Sequence, residues 1–138
     1  MKFKTLHGSI RRVPKIKKYL IDWEGKSRSN IQYDTKVFLK KYWSNNVVFE
    51  EFPVAGTRMS LDFYNSTQKI AIEVDGNQHY RYNQFFHSNS RQKFLHQLHR
   101  DEKKEYFCEI NKIKLIRVLE SDVLDSEKYP ESLIKLLK

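Results

Sequence analysis

Residues 58–75 read RMSLDFYNSTQKIAIEVD, and this stretch decides the fold. Residues 58–64 and 69–75 each alternate in steps of two and are rich in β-branched and aromatic side chains, which predicts two strands. The polar residues 65–68 between them are typical of a turn. Because residues 47–54 have the same composition, the sequence predicts a meander of three consecutive strands.

Helical patterns lie on both sides of this meander. Ser29 or Asn30 can cap a helix before it, and a longer charged helix follows it. The predicted class is α/β: a mixed sheet of about four strands flanked by helices, with a basic N-terminal arm. The remaining predicted elements are a helix from residue 29 or 30 to about 43–46, a helix over 92–110, a strand over 113–119 and a short closing helix after Pro130.

Length and cysteine content limit the class of protein. A chain of 138 residues is long enough for one compact domain with its own core. Cys108 is the only cysteine, which excludes a disulfide framework and predicts a reducing, intracellular compartment. No apolar run approaches the ~20 residues that span a bilayer, so no membrane association is expected.

Positive charge is concentrated at the N terminus. The chain has 26 Lys and Arg against 17 Asp and Glu, and residues 1–28 hold nine of the basic residues and only two acids. Such a segment suits a polyanion, because each phosphate contact releases counterions; a solubilising tail is the alternative. Whether the arm is extended or holds a short helix over 15–23 stays open. The candidate DNA-binding residues are Arg11, Arg12, Lys15, Lys17, Lys18, Lys26 and Arg28.

Acidic residues share one face of the meander. Alternation places Asp62 on the same face as Glu73 and Asp75, while the other face, over residues 59–74, is expected to be uninterruptedly apolar. A tight turn would put Asp62 opposite Ala71 and diagonal to Glu73, roughly 7 Å away. Acids held this close repel one another, and a divalent cation removes that cost. The pattern predicts Mg²⁺ or Mn²⁺ bound by these three acids, and ordinary surface acids are the alternative.

A histidine follows the acidic strand directly. Gly76 allows the chain to turn sharply after Asp75, which would bring His79 near the acids. A neutral imidazole there can take a proton from an attacking water near neutral pH. His79 is therefore a candidate general base.

These motifs resemble a known nuclease superfamily. Leu61-Asp62-Phe63, the run Ile72-Glu73-Val74-Asp75-Gly76-Asn77-Gln78-His79, Arg100-Asp101 and Ile116-Arg117-Val118 are similar to motifs of the PD-(D/E)xK nucleases. Within that superfamily they resemble the Vsr-like branch, which includes phage homing endonucleases with an EDxHD motif. The resemblance covers roughly residues 30–120 and implies a restriction-endonuclease-like fold.

The resemblance also implies roles for individual residues. Asp62 would be the central metal ligand, Glu73 the second acid, His79 the motif histidine and Asp101 the final acid. Asp75 stands where the wider superfamily has a lysine. The motif's first acid would be Asp34, with Glu50 or Glu51 as alternatives. The candidate catalytic residues are thus Asp62, Glu73, His79, Asp101, Asp34 and Asp75.

The expected function is Mg²⁺-dependent, site-selective cleavage of double-stranded DNA by a homing-type endonuclease. The expected domains are the DNA-binding arm, 1–28, and a nuclease-like catalytic domain, 29–138. A non-catalytic nucleic-acid-binding module on the same scaffold is one alternative. A junction resolvase, which would need a dimer, is another. The sequence leaves open whether the chain forms a homodimer.

Overall fold

The computed structural model describes residues 1–75, 88–119 and 137. It confirms the predicted order of helix, meander, helix and strand. No helix in the described part has the length and apolar character that crossing a membrane requires. The closing helix predicted after Pro130 lies outside the described residues, apart from Leu137. The elements are β1 (Lys2–Lys4), β2 (Ile10–Arg12), a 3₁₀ helix (Ile16–Tyr19), α1 (Asn30–Trp43), β3 (Val48–Pro53), β4 (Ser60–Asn65), β5 (Ile70–Asp75), α2 (Ser88–Ile110) and β6 (Lys114–Leu119).

The main sheet is mixed, with the strand order β3-β4-β5-β6. The first three strands are antiparallel neighbours, as a meander requires. After α2 the chain returns as β6, which pairs in parallel with β5 along its whole length. The four-strand mixed sheet expected from the sequence is therefore present.

Helix α1 begins where its cap was predicted. The Ser29 side chain accepts a hydrogen bond from the backbone N–H of Gln32 at 3.2 Å, which satisfies one of the free donors of the first turn. Leu39 and Trp43 are both fully buried, one helical turn apart. They pack with Ile72 and other residues of the sheet, so α1 covers one sheet face.

The sheet is buried on both faces. One cluster joins the α1 side and the other joins the α2 side, where Phe107 and Cys108 of α2 meet Tyr64 and Ala71. Burial on both sides explains why most residues of these strands are apolar. Charged residues within them, such as Glu50, Glu73 and Arg117, form ion pairs.

The uninterrupted apolar face expected over residues 59–74 is wrong. Glu51 has a φ of 54°, in the left-handed region, and the alternation of β3 changes there. Phe49 and Phe52 consequently reach the same cluster, with ring centroids 4.9 Å apart. Leu61, which pairs with Phe52, joins that cluster, whereas Phe63 joins the other.

The N-terminal residues pack on the body and do not form a detached arm. Strands β1 and β2 pair as an antiparallel hairpin whose Phe3 and Val13 belong to the α2-side cluster. The Phe3 ring lies 5.6 Å from that of Phe52 and 5.7 Å from that of Phe107. The question left open about residues 15–23 is answered by the short 3₁₀ helix over Ile16–Tyr19.

A buried lysine joins the end of this segment to α1. The Lys36 ammonium donates to the carbonyl oxygens of Asp22, Gly25 and Lys26 at 3.1, 3.1 and 3.3 Å. It also pairs with Glu50 at 2.9 Å, and its side chain is only 1% exposed. The boundary expected at residue 28 coincides with a change in charge density, and buried contacts cross it.

Candidate functional site

The turn between β4 and β5 sets which residues face each other. The tight turn that would put Asp62 opposite Ala71 is not formed, since the strands pair Asn65 with Ile70 and four residues lie between them. Continuing that register places Asp62 opposite Glu73 instead of opposite Ala71. A change of two positions in the pairing keeps Asp62 and Glu73 on one face, but they are closer than a diagonal pair.

At Asp62 and Glu73, the two side-chain carboxylates accept the hydrogen bonds between β4 and β5 in place of backbone carbonyl groups. The backbone N–H of Asp62 donates to Oε2 of Glu73 at 2.7 Å. The backbone N–H of Val74 donates to Oδ2 of Asp62 at 2.8 Å. Each carboxylate therefore binds the backbone of the opposite strand. These bonds fix the positions of both side chains.

The environment of Asp62 disfavours its charged form. The pKa of this carboxyl is raised to about 8, chiefly by burial, next by the neighbouring charge of Glu73 and to a smaller extent by Glu51. The Val74 N–H and the Lys104 ammonium act in the opposite direction, with less effect on the pKa. A bound cation would remove this penalty, because it supplies the missing positive charge.

Lys104 of α2 contacts the other member of the pair. Its ammonium binds Oε1 of Glu73, and the two side chains are 15% and 4% exposed. Helical spacing places Lys104 on the same side of α2 as Asp101 and Gln97, whose Nε2 donates to the Asp101 carboxylate at 3.0 Å. Local spacing does not predict this contact, because the two partners are 31 residues apart.

Arg117 of β6 connects the remaining two acids. Its guanidinium lies 3.5 Å from the carboxylate of Asp75 and 3.6 Å from that of Asp101, and it donates to the Asp101 carbonyl at 3.1 Å. Burial lowers the pKa of Arg117, but Asp75, Asp101 and Glu105 together raise it. The sequence analysis gave Arg117 no role. Its position as a polar residue between apolar neighbours in a buried strand is the signal that would have found it.

Asp34 is not brought to this site. It lies on the exposed side of α1, because helical periodicity turns its neighbours Thr35 and Lys36 inward instead. Of the two alternatives, Glu50 is engaged by the buried Lys36. Glu51 is the acid that acts on the pKa of Asp62.

Polar contacts hold Glu51 in place. Its carboxylate accepts hydrogen bonds from Gln32 at 3.1 Å and from Ser60 at 3.0 Å. The guanidinium of Arg28 lies 3.6 Å away. Gln32 also donates to Glu50 at 2.8 Å, so its buried side-chain amide on α1 contacts both glutamates of β3.

Acidic and basic side chains line one cleft of about 640 Å³. Arg28, Arg58 and Arg100 line it and are exposed, which suits contacts with an anionic ligand. Lys104 also lines it. The predicted acids that line the same cleft are Asp62, Glu73, Asp75 and Asp101. His79, the candidate base, lies outside the described residues.

The thiol beneath the cleft is unsuited to nucleophilic chemistry. Cys108 is buried, and its pKa is raised to about 12, chiefly by this burial and next by the charge of Glu73. Because the thiolate is the reactive form, this cysteine would be inert at neutral pH.

Donor chemistry at the cleft fits a hard divalent cation only in part. Asp62 and Glu73 provide adjacent carboxylate oxygens of the kind that Mg²⁺ prefers. Within residues 1–75 and 88–119, however, no group of three or more His, Cys, Asp or Glu side chains is arranged to hold a metal ion. The described residues therefore supply a pair of donors, and Asp75 has Arg117 as a partner.

Comparisons with known proteins identify relatives from three viruses. The chain is 38% identical over 66 residues to the uncharacterized protein 033L of Invertebrate iridescent virus 3, and 42% identical over 66 residues to the uncharacterized protein 094L of Frog virus 3. Each match covers 48% of this chain, and 34% and 43% of the respective relatives. The uncharacterized protein 307L of Invertebrate iridescent virus 6 is 37% identical over 60 residues, which cover 44% of this chain and 30% of that protein. The chain thus spans less than half the length of the curated relatives it matches. No family model and no solved structure matches it.

Proposed function

We propose that this protein is a metal-dependent endonuclease that hydrolyses phosphodiester bonds of DNA inside the cell. The observation that carries the proposal is the facing pair Asp62 and Glu73, held by each other's strand at a cleft with exposed arginines. Membership of the Vsr-like branch of the PD-(D/E)xK nucleases is part of the proposal. The mixed sheet, with the two acids on adjacent strands, supports it.

Asp62 and Glu73 would hold Mg²⁺ or Mn²⁺ through their carboxylate oxygens. When bound, the ion would supply Lewis acidity at the scissile phosphate and lower the pKa of a water nucleophile. Asp75 stays a candidate third ligand, and His79 stays the candidate base. The chain's own contribution is to hold two donors in fixed positions before the substrate arrives, which reduces the reorganisation needed in the transition state.

Lys104 would supply the positive charge that a strand lysine supplies in the wider superfamily. The resemblance would put a lysine where Asp75 stands, and the ammonium of Lys104 reaches Glu73 from α2 instead. There it orients one carboxylate and places positive charge beside the bound phosphate. Arg28, Arg58 and Arg100 line the same cleft, where they would bind neighbouring phosphates as charged donors.

The test is cleavage of supercoiled plasmid by Asp62→Asn in Mg²⁺. We expect cleavage by the native protein, none in EDTA, and a loss of at least ~100-fold in the variant, because one of the two fixed donors loses its charge. Binding of duplex DNA in EDTA should survive. Asp34→Asn is the matched control, since it removes an exposed aspartate outside the cleft. Full cleavage by Asp62→Asn would remove the assignment.

A non-catalytic nucleic-acid-binding module is the second candidate. Two observations favour it: Lys104 already partners Glu73, and no three-acid metal group is assembled within the described ranges. The same assay separates the two functions. A protein that binds the plasmid tightly but leaves it supercoiled with either Mg²⁺ or Mn²⁺ would be a binding module.

A further inference from the structure

The hairpin of β1 and β2, here called the N-terminal ribbon (residues 2–12), has a basic outer face. Its register pairs Lys2 with Arg12 and Lys4 with Ile10. Residues paired directly across an antiparallel ladder lie on the same face, and alternation places both pairs together, opposite the buried Phe3. All four outer side chains are exposed, Ile10 to 69%.

The inner side fixes the ribbon to the domain. Phe3 is 7% exposed and packs among the aromatic rings of the core. Asn111, at the end of α2, accepts from the backbone N–H of Lys4 at 2.8 Å and donates to its carbonyl at 3.0 Å. At the turn, Thr5 and Ser9 bond through both backbone and side chains, each at 2.7 Å. The outer face is therefore held in one orientation before any partner binds.

The outer face has no structural use within the described parts of the chain. Within residues 1–75 and 88–119, no acid forms an ion pair with Lys2, Lys4 or Arg12. Three cations of one sign on a small surface repel one another and attract a polyanion. Ile10 adds an apolar group to the same outer face. This combination favours a partner that offers both phosphates and an apolar surface.

The size of the ribbon suits one such surface. The two strands of a ribbon lie about 4.8 Å apart. The major groove of B-form DNA is about 12 Å wide and admits a two-stranded ribbon. At ~3.4 Å per residue, three paired positions match the length of about three base pairs.

We propose that the N-terminal ribbon binds in the major groove of double-stranded DNA through its outer face. Lys2, Lys4 and Arg12 contact phosphates and base edges, and Ile10 contacts the apolar edge that a thymine methyl group presents. The inference deepens the proposed function by naming how duplex DNA is bound, and it rests on that function only for the identity of the polyanion.

The first test measures the salt dependence of binding. Fluorescence anisotropy with a 24-base-pair duplex, in EDTA and in the Asp62→Asn background, keeps catalysis out of the measurement. The triple variant K2Q/K4Q/R12Q should bind at least tenfold more weakly at 0.1 M salt. Its plot of log affinity against log salt should be shallower by about 0.9 for each lost phosphate contact.

A control variant of equal net charge separates the ribbon from bulk electrostatics. K41Q/K69Q/K103Q removes three exposed lysines from α1, the β4–β5 turn and α2. We expect it to change affinity less than threefold. Equal losses in the two triple variants would overturn the proposal. The thermal unfolding of both should match that of the parent, because every substituted side chain is exposed.

The second test identifies the groove. Bulky substituents at the 5 position of the pyrimidines fill the major groove, whereas inosine in place of guanine alters only the minor groove edge of the pair. We expect the first change to weaken binding and the second to leave it unaltered, and I10A to weaken binding without changing the salt slope. The reverse groove pattern, or equal binding of duplex RNA, whose major groove is too narrow, would overturn the proposal. Neither binding test requires cleavage, so a protein without nuclease activity could still confirm that the ribbon binds DNA. If the native protein cleaves DNA but the triple ribbon variant keeps the native salt slope, the proposed role of the ribbon is refuted and the proposed nuclease function is not.

Discussion

Replacing Asp62 by Asn should stabilise the metal-free protein while removing the proposed nuclease activity. The Asp62 carboxyl has its pKa raised from 3.8 to about 8, first by burial and then by the charge of Glu73. Asparagine keeps an oxygen that can accept from the Val74 N–H and carries no charge in the cleft. In the native protein, folding carries a free-energy cost because the Asp62 side chain must either stay ionised in the cleft or take up a proton. The variant avoids this cost.

The sign of the pH dependence follows from proton counts. Below pH 4 the carboxyl is protonated in both states, and native protein and variant should be about equally stable. Between pH 4 and 8 the folded state holds one more proton than the unfolded state, so native stability falls as pH rises. The advantage of Asp62→Asn should grow across this window and then level off. One pKa unit is about 1.4 kcal/mol, giving an upper bound of about 6 kcal/mol; water entry into the open cleft reduces the cost, and we expect on the order of 2 kcal/mol at pH 8.

Urea denaturation in EDTA at pH 5, 6, 7 and 8 would measure this difference. Linear extrapolation gives the free energy of unfolding at each pH, provided that the slopes agree between the proteins. Asp34→Asn again serves as the control, because its exposed side chain should produce no pH-dependent difference. A variant less stable than the native protein at pH 8, or a difference that does not change with pH, would refute the argument that Asp62 is strained by burial and by Glu73.

Three further outcomes follow from the packing and from the proposed metal. Lys36→Met should lower the free energy of unfolding by about 3–5 kcal/mol, because Glu50 is left buried without its cation; urea denaturation measures it, and a neutral effect would contradict the assigned pair. Phe3→Ala should cost about 3 kcal/mol in the same assay, whereas a change below ~0.5 kcal/mol would mean that the hairpin does not pack on the core. Mg²⁺ at 100 times its dissociation constant should stabilise the native protein by about 2.7 kcal/mol and leave Asp62→Asn unchanged, as followed by thermal unfolding; equal stabilisation of both would place the ion elsewhere.

The elements of the body could be predicted because their signals are local. Alternation of side chains defines strands β3 to β6, and Ser29 marks the start of α1 within a few residues of sequence. The same alternation placed Asp62 and Glu73 on one face. Only the turn length could decide their register, and the turn residues are compatible with either two or four loop positions.

The hairpin was missed because its strands are short and mostly charged. Nothing in the local sequence of Phe3 shows that it packs against Phe107, more than a hundred positions away. The role of Lys36 is hidden for the same reason, since its partners lie in a loop and on another strand.

The sequence by itself therefore determined which segments are helices and strands, where positive charge accumulates, and which acids share a sheet face. These properties depend on periodicity and composition within a few residues. The tertiary structure alone decided that Glu73 meets Asp62 directly, that Lys104 joins them, and that Arg117 holds Asp75 and Asp101. Such contacts depend on how a turn closes and how a helix packs on a sheet, and these are set by the summed burial of many distant side chains.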